Sequence, residues 1–198
     1  DLTTEEALRV VDEMVEMNVR DVSLTGGEPF QRRDFREIVR RIVDGNIRIA
    51  SIFTNGVDVD HDMIDFFANE VKLPRRCRIR GSLDGMTAES NSILRGRTKE
   101  PKVVFEKTLE TIRRFVKAGF LVSIGTSIHK SNVQQLPEMY SFVKNLGVQE
   151  WRMAVPKPIG QYKNNESSIG AEWDDVLVAY KRVIDAHLDD CKVTDKGV

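Results

Sequence analysis

Apolar positions recur along the chain with two alternating periods, and that alternation sets the expected fold. Leu8, Val11, Met14 and Val15 fall on one helical face behind Thr3 and Glu6, which are spaced as a capping box. Residues 22–25 form a short β-type run closed by Gly26-Gly27. Asp34 opens a second helix with Phe35, Ile38, Val39 and Ile42 on one side and Gly45 as its stop. Residues 47–54 read as a strand ended by Asn55-Gly56, and Asp60 or Asp62 caps a third helix carrying Ile64, Phe66 and Phe67. Residues 76–83 read as a strand ended by Asp84-Gly85. After a polar loop, residues 103–116 are helical with Phe105, Leu109, Ile112 and Val116 aligned, and residues 120–128 are a strand. Asn132 caps a fifth helix closed by Gly147, residues 150–155 are a strand, and a Pro/Gly loop leads to a last helix marked by Trp173, Val176, Tyr180, Val183 and Ile184.

The order is one helix and then five strand–helix repeats. Strands separated by helices imply a parallel sheet, because parallel strands need long crossovers. No linker or repeat divides the chain, so the expectation is one α/β domain over residues 1–198. It is either a partial (β/α) barrel or an open doubly wound sheet. In both, ligands gather at the C-terminal ends of the strands.

Composition narrows the function classes. Thirty basic residues against thirty-one acidic ones give a net charge of -1, which removes the electrostatic case for a nucleic-acid or anionic-membrane binder. No apolar run approaches the roughly 18–20 residues of a membrane span, and no signal-peptide pattern is present. The two cysteines, Cys77 and Cys191, are too far apart to form a disulfide framework or, alone, a zinc or iron–sulfur site. These features point to a cytoplasmic protein.

The strand ends carry the chemistry. They read Thr25-Gly26-Gly27-Glu28-Pro29, Thr54-Asn55-Gly56, Ser82-Leu83-Asp84-Gly85, and Ser127 near Asn132; the fifth strand runs into Pro156, Pro158 and Gly160. Glycine permits tight turns and close approach of backbone to a ligand, and Asn, Ser, Asp and Glu offer hydrogen-bond partners for an amine, a carboxylate or ribose hydroxyls. Each is also an ordinary turn residue. Four such groups at one end of one sheet argue for a site.

This ordered set, with Phe30-Gln31-Arg32-Arg33-Asp34-Phe35 and Arg95-Gly96, resembles the radical S-adenosylmethionine superfamily over roughly residues 2–165. The nearest flavour is the branch of molybdenum-cofactor cyclases and peptide- and haem-modifying enzymes with auxiliary clusters. The resemblance implies a partial (β/α)6 TIM-like barrel. In that barrel a four-iron four-sulfur (4Fe-4S) cluster holds S-adenosylmethionine, and its reductive cleavage yields a 5′-deoxyadenosyl radical that abstracts a substrate hydrogen. Carried over by position, Gly26, Gly27, Glu28 and Pro29 would receive the methionyl amine, with Asn55 at the neighbouring strand end. Ser82 and Asp84 would meet the methionyl or ribose portion, Arg95 the methionyl carboxylate, Ser127 the ribose, and backbone near Met153 the adenine.

The superfamily's cluster sits on a CxxxCxxC loop after the first strand, and no such loop occurs here. The chain starts at Asp1, at the helix that normally follows that loop. The expectation is therefore a segment of a longer radical enzyme, lacking the first strand and inactive as it stands. Its exposed strand edge would invite pairing with another chain. In full-length form it would use S-adenosylmethionine, the cluster, an external electron donor and a small-molecule or peptide substrate.

Period-two alternation puts Arg78, Arg80, Ser82 and Asp84 on one face of their strand. Arginines pointing into a barrel need partners, either internal acids or a substrate carboxylate or phosphate. A cluster-free nucleoside- or S-adenosylmethionine-binding module is the alternative to the enzyme. An unrelated aldolase- or isomerase-type barrel is a third reading, but Lys130 and Lys157 lack an evident acid–base partner.

Overall fold

The structure, a computed structural model, describes residues 2–95, 100–157 and 159–194. Five strands, β1 Asp21–Leu24, β2 Arg48–Thr54, β3 Arg78–Ser82, β4 Leu121–Ser127 and β5 Glu150–Ala154, form one parallel sheet in the order β1-β2-β3-β4-β5. Every strand lies beside its neighbour in sequence, so the order never reverses. A doubly wound sheet reverses at a switch point. That alternative is excluded, and the connectivity is that of a (β/α) barrel. Helices α1 Thr4–Glu16, α2 Phe35–Asp44, α3 His61–Asp65, α5 Pro101–Lys117 and α6 Leu136–Asn145 occupy the crossovers and the start of the chain, and α8 Trp173–Thr194 follows the last strand.

Two helices lie where loops were expected. α4, Ala88–Ser92, is a single turn held by a capping box between Thr87 and Ser90, too short to show a period. α7, Gly160–Ile169, replaces the Pro/Gly loop after β5. Asn164, Ser167 and Ser168 are weak helix formers and the segment has no apolar stripe, so nothing in its pattern marks it. Pro158 and Gly96 lie outside the described residues.

The chain divides into two compact units, Asp1–Ser82 with Lys107–Ser123, and Leu83–Glu106 with Ile124–Val198. The first is built on aromatic rings. Phe30 stands edge-on to Phe35 at 5.3 Å and to Phe67 at 5.8 Å, and Phe115 stands edge-on to Phe120 at 5.2 Å. Such T-shaped pairs favour one arrangement over others of equal buried area. Thr3 and Glu6 form the expected capping box at the start of α1: the Glu6 N–H donates to Thr3 Oγ1 at 3.2 Å, and the Thr3 N–H donates to Glu6 Oε2 at 2.8 Å. A register shift between Val22 and Ser23 brings Ser51, rather than Ala50, beside Ser23. The second unit has an aliphatic core of Ile128, Val133, Leu136, Met139, Val176, Ala179 and Val183. No helix among the described residues is long and apolar enough to cross a membrane.

Candidate functional site

In the first unit the turn after β1 is tied to the end of β2 by one carboxylate. Glu28 is the N-cap of the short 3-10 turn Pro29–Gln31, and Pro29 suits its first position because it has no N–H to satisfy. Glu28 Oε1 accepts from the Thr54 hydroxyl at 2.8 Å, and Oε2 accepts from the Asn55 N–H at 2.7 Å. The Thr54 hydroxyl in turn accepts from the Gly56 N–H at 2.9 Å. Asn55 Oδ1 accepts from the Val57 N–H at 2.8 Å, and the Asn55 carbonyl accepts from the Thr108 hydroxyl at 3.0 Å. The polar groups of Glu28 and Asn55 thus fix the shape of the turn.

What this frame leaves open is Gly26-Gly27. Gly26 has φ +153°, a backbone state that side chains disfavour. Gly27 has no such constraint, and a Cβ there would meet nothing within 4 Å. Neither its own backbone nor its packing requires a glycine at Gly27.

In the second unit Asp84 is a buried hub, only 1% exposed. Its Oδ1 accepts from the Ser127 N–H at 2.7 Å, and its Oδ2 accepts from Arg95 Nε at 2.8 Å. Its backbone N–H donates to Asn91 Oδ1, and its carbonyl accepts from Asn132 Nδ2, both at 2.8 Å. Asn132 also donates to the Ser127 carbonyl at 2.9 Å and accepts from the His129 N–H at 2.8 Å. Every part of that buried amide is engaged, as a buried amide must be. The expected role of Asn132 as a helix cap is corrected: it makes no side-chain cap bond, and joins two strand ends instead. Gly85 is explained by packing, since a Cβ there would stand 2.1 Å from Ser90 Oγ and 2.6 Å from the Asn91 nitrogen.

His129 lies in the same cluster, fully buried. Burial pushes its pKa below the ordinary 6.5 in spite of the nearby Asp84 charge. Its Nδ1 accepts from the Ser131 N–H at 3.2 Å, which puts the ring proton on Nε2. The Met153 carbonyl accepts from the Tyr180 hydroxyl at 2.9 Å, which turns it toward α8. Arg78, Arg80 and Ser82 lie half-buried along β3 in the first unit.

The structure therefore brings together Gly26, Gly27, Glu28, Pro29 and Asn55 in one cluster, and Asp84, Arg95 and Ser127 in another. Asn91, and the bridging role of Asn132, escaped the sequence reading. A buried Asn inside a polar loop looks like any turn Asn until its partners are seen.

The residues present do not fit an iron–sulfur cluster. Cys77 is fully buried and its thiol is pushed up to about 12 by burial, whereas a cluster ligand is a thiolate. Cys191 is exposed and distant in sequence, and no three His, Cys, Asp or Glu side chains among the described residues converge on a metal position. No chemical step is assigned through a cluster held by these residues. Taken by itself, the open Gly26-Gly27 turn of the first unit suits close approach of a ligand amine, and, taken by itself, the oriented Arg95 of the second unit suits a carboxylate; S-adenosylmethionine carries both groups.

The strand order is that of a (β/α) barrel protein. The profile of the Radical SAM superfamily matches residues 1–143, and the chain belongs to that superfamily. It is 28% identical over 177 residues to the AdoMet-dependent heme synthase of Methanosarcina barkeri, covering 89% of this chain and 48% of that protein. It is 27% identical over 196 residues to the probable GTP 3',8-cyclase of Sulfurisphaera tokodaii, covering 98% of this chain and 58% of that protein. The crystal structure of Streptococcus suis SuiB bound to precursor peptide SuiA matches with TM-score 0.74 at 16% identity, covering 96% of this chain and 40% of that one. The chain spans about half the length of the curated relatives it matches.

Proposed function

We propose that this chain is the S-adenosylmethionine-holding core of a radical enzyme that acts on a precursor in cofactor biosynthesis or peptide modification. One observation carries the reading. Glu28 ties down the Gly26-Gly27 turn, yet among the described residues nothing beyond its chain neighbours lies within 4 Å of a Cβ placed at Gly27. Rigid backbone with vacant space alongside is what close approach of a ligand amine requires.

Gly26 to Pro29 would face the methionyl amine. Glu28 and Asn55 act mainly by fixing the turn, since both carboxylate oxygens of Glu28 and the Oδ1 of Asn55 already accept hydrogen bonds there. Ser82, half-buried at the end of β3, would offer its hydroxyl to the methionyl portion. In the second unit Asp84 would orient Arg95 for the methionyl carboxylate and hold the Ser127 backbone, leaving the Ser127 hydroxyl for ribose. Backbone around Met153 would meet the adenine through the groups that Tyr180 does not occupy. When bound to a reduced cluster, S-adenosylmethionine supplies radical chemistry, and the residues here supply only position.

The haem synthase and cyclase relatives support a precursor substrate of that kind, and an external electron donor acting in the cytoplasm completes the scheme. The 198 residues alone would have no radical activity, because two cysteines are too few to hold a four-iron cluster. Calorimetry of S-adenosylmethionine binding to the chain tests the core of the proposal. Gly27→Val should abolish binding while leaving the unfolding midpoint unchanged, and retained affinity would refute the assignment. Anaerobic iron–sulfur reconstitution tests inactivity: a stoichiometric four-iron cluster on this chain would overturn it.

A further inference from the structure

The first unit has a second concave site, at the other end of its strands from the cluster around Glu28. A cavity of about 440 Å³ opens between the end of α2, the start of β2 and the turn that leads into β3. Its apolar floor includes Ile47, Ile49 and Leu73, each 5% exposed or less. Its wall carries four cations, Arg48, Lys72, Arg75 and Arg76, and no carboxylate among the described residues. Arg48 opens β2 and Thr54 closes it, so the cavity lies about 20 Å along that strand from Glu28 and its partners.

One of the four cations is neutralised and the others are not. Arg48 pairs with the carboxylate of Asp21. Glu70, the acid closest in sequence to Lys72, is taken by Arg40. Asp44, at the end of α2, borders a separate hollow with Asp12 and Arg41. No ion pair joins Lys72, Arg75 or Arg76 to an acid among the described residues. α2 and the helical segment Phe66–Glu70 both end at this cavity, but two helix C-termini together carry only about one negative charge. Three cations exceed that. On a chain whose net charge is -1, such an excess at one cavity is a local arrangement and not a reflection of composition.

The backbone holds these side chains in place. Lys72 and Arg75 have φ of 54° and 62°, in the left-handed region that favours glycine. The turn between them is pinned. The Leu73 N–H donates to the Phe67 carbonyl, and the Arg76 and Cys77 N–H groups both donate to the Leu73 carbonyl, all at 2.9 Å. Glycine would satisfy both positions with less strain, so the two cations are not there for the backbone. Charged groups set around a concave surface by an ordered turn suit an anion with several oxygens, and that turn is ordered before any ligand arrives.

We infer that this cavity is a binding site for a compact polyanion, one small molecule carrying three or more negative charges as phosphate or carboxylate groups. Lys72, Arg75 and Arg76 would each meet one charge, with Arg48 at the edge beside Asp21. The inference stands apart from the cofactor reading, because it uses none of the residues assigned to S-adenosylmethionine.

Calorimetric titration of the chain at low ionic strength with tripolyphosphate, citrate and inorganic phosphate tests this. Tripolyphosphate or citrate should bind one to one, and about tenfold or more tighter than inorganic phosphate. Tighter tripolyphosphate assigns phosphate groups, and tighter citrate assigns carboxylates. Lys72→Gly and Arg75→Gly separate binding from folding. Each should raise the urea midpoint or leave it unchanged, while weakening the tighter anion by about threefold to tenfold. Should either fail to fold, Arg76→Gln carries the test, with a loss of about the same size. Asp21→Asn should tighten binding about twofold, since it removes the carboxylate beside Arg48. Lys181→Gln, which removes an exposed cation on α8, should leave binding unchanged. Equal affinity for inorganic phosphate, unchanged affinity in the Arg75 and Arg76 variants, an equal loss in Lys181→Gln, or displacement of the anion by S-adenosylmethionine would each overturn the proposal. Tighter binding of a polyglutamate peptide than of either small anion would overturn it in favour of an acidic protein partner.

Discussion

Glu28 and Asp84 each follow the end of a strand, and each turns its carboxylate back into the protein, but the two are connected differently. Glu28 has neutral partners, the Thr54 hydroxyl and the Asn55 N–H of one neighbouring strand end. Asp84 binds one charged partner, Arg95, and its side chain and backbone gather groups from positions 91, 127 and 132. One carboxylate shapes a turn. The other holds the end of β4 and a guanidinium together, while the Asp84 backbone carbonyl takes up Asn132 at the start of the following crossover. A buried charge whose partner is removed is far more costly than a neutral hydrogen bond lost at a half-buried turn.

The contrast breaks first at Asp84. Asp84→Ala should destabilise the chain by about 3 kcal/mol in urea unfolding, since it strands both Arg95 and the Ser127 N–H. The side chain of Arg95 is 24% exposed, which lets water meet part of that loss. Glu28→Ala should cost less, about 1–2 kcal/mol, because it removes hydrogen bonds from neutral donors at a half-buried site. Equal losses at the two positions would dissolve the distinction.

The sequence revealed one side of this comparison better than the other. The Glu28 cluster lies in residues that follow one another at two strand ends, so its members stand out as motifs. The Asp84 hub depends on Asn91 and Asn132, whose roles follow from where two distant loops meet, and a one-dimensional pattern holds no such information. Asn132 illustrates the limit. Its position ahead of an apolar period marks a helix cap, but tertiary demand on its amide outweighs that local use. Strand alternation correctly put Arg78 and Arg80 on one face. It could not show that Phe53 stays open beside them, because exposure of a strand aromatic depends on what covers the sheet. The crossovers were legible where an apolar stripe exists, as in α2 and α5, and not in α7, where none does.

A smaller effect distinguishes the Asp84 cluster by pH. The pKa of His129 is lowered from 6.5 by burial, so the unfolded chain binds a proton that the folded chain refuses. The stability tied to neutral His129 is therefore complete above about pH 6.5 and is lost as pH falls through the lowered folded value. The slope contributed by one proton cannot exceed about 1.4 kcal/mol per pH unit. Asp34 and Asp190, both held below the ordinary 3.8 by hydrogen bonds, lose their contribution only at lower pH. Urea midpoints between pH 5 and 7 should decline with acid in the native chain and flatten in His129→Asn, which keeps an acceptor for the Ser131 N–H. An unchanged slope in the variant would remove His129 from the account.

The smallest change in stability is expected beside Glu28, and it is the most informative about function. Gly26→Ala should cost about 1–2 kcal/mol, because a side chain is strained at φ +153°. Gly27→Ala should alter stability by no more than about 0.5 kcal/mol, or raise it slightly, since its Cβ meets nothing and the unfolded chain loses freedom. If the space beside Gly27 belongs to a ligand, that nearly silent substitution must still weaken S-adenosylmethionine binding in calorimetry. Two adjacent glycines would then separate by cause, Gly26 retained for the backbone and Gly27 for the cofactor. Full affinity in a folded Gly27→Ala chain would leave the turn a structural device like the Asp84 hub, and would take from the first cluster the observation on which its function rests.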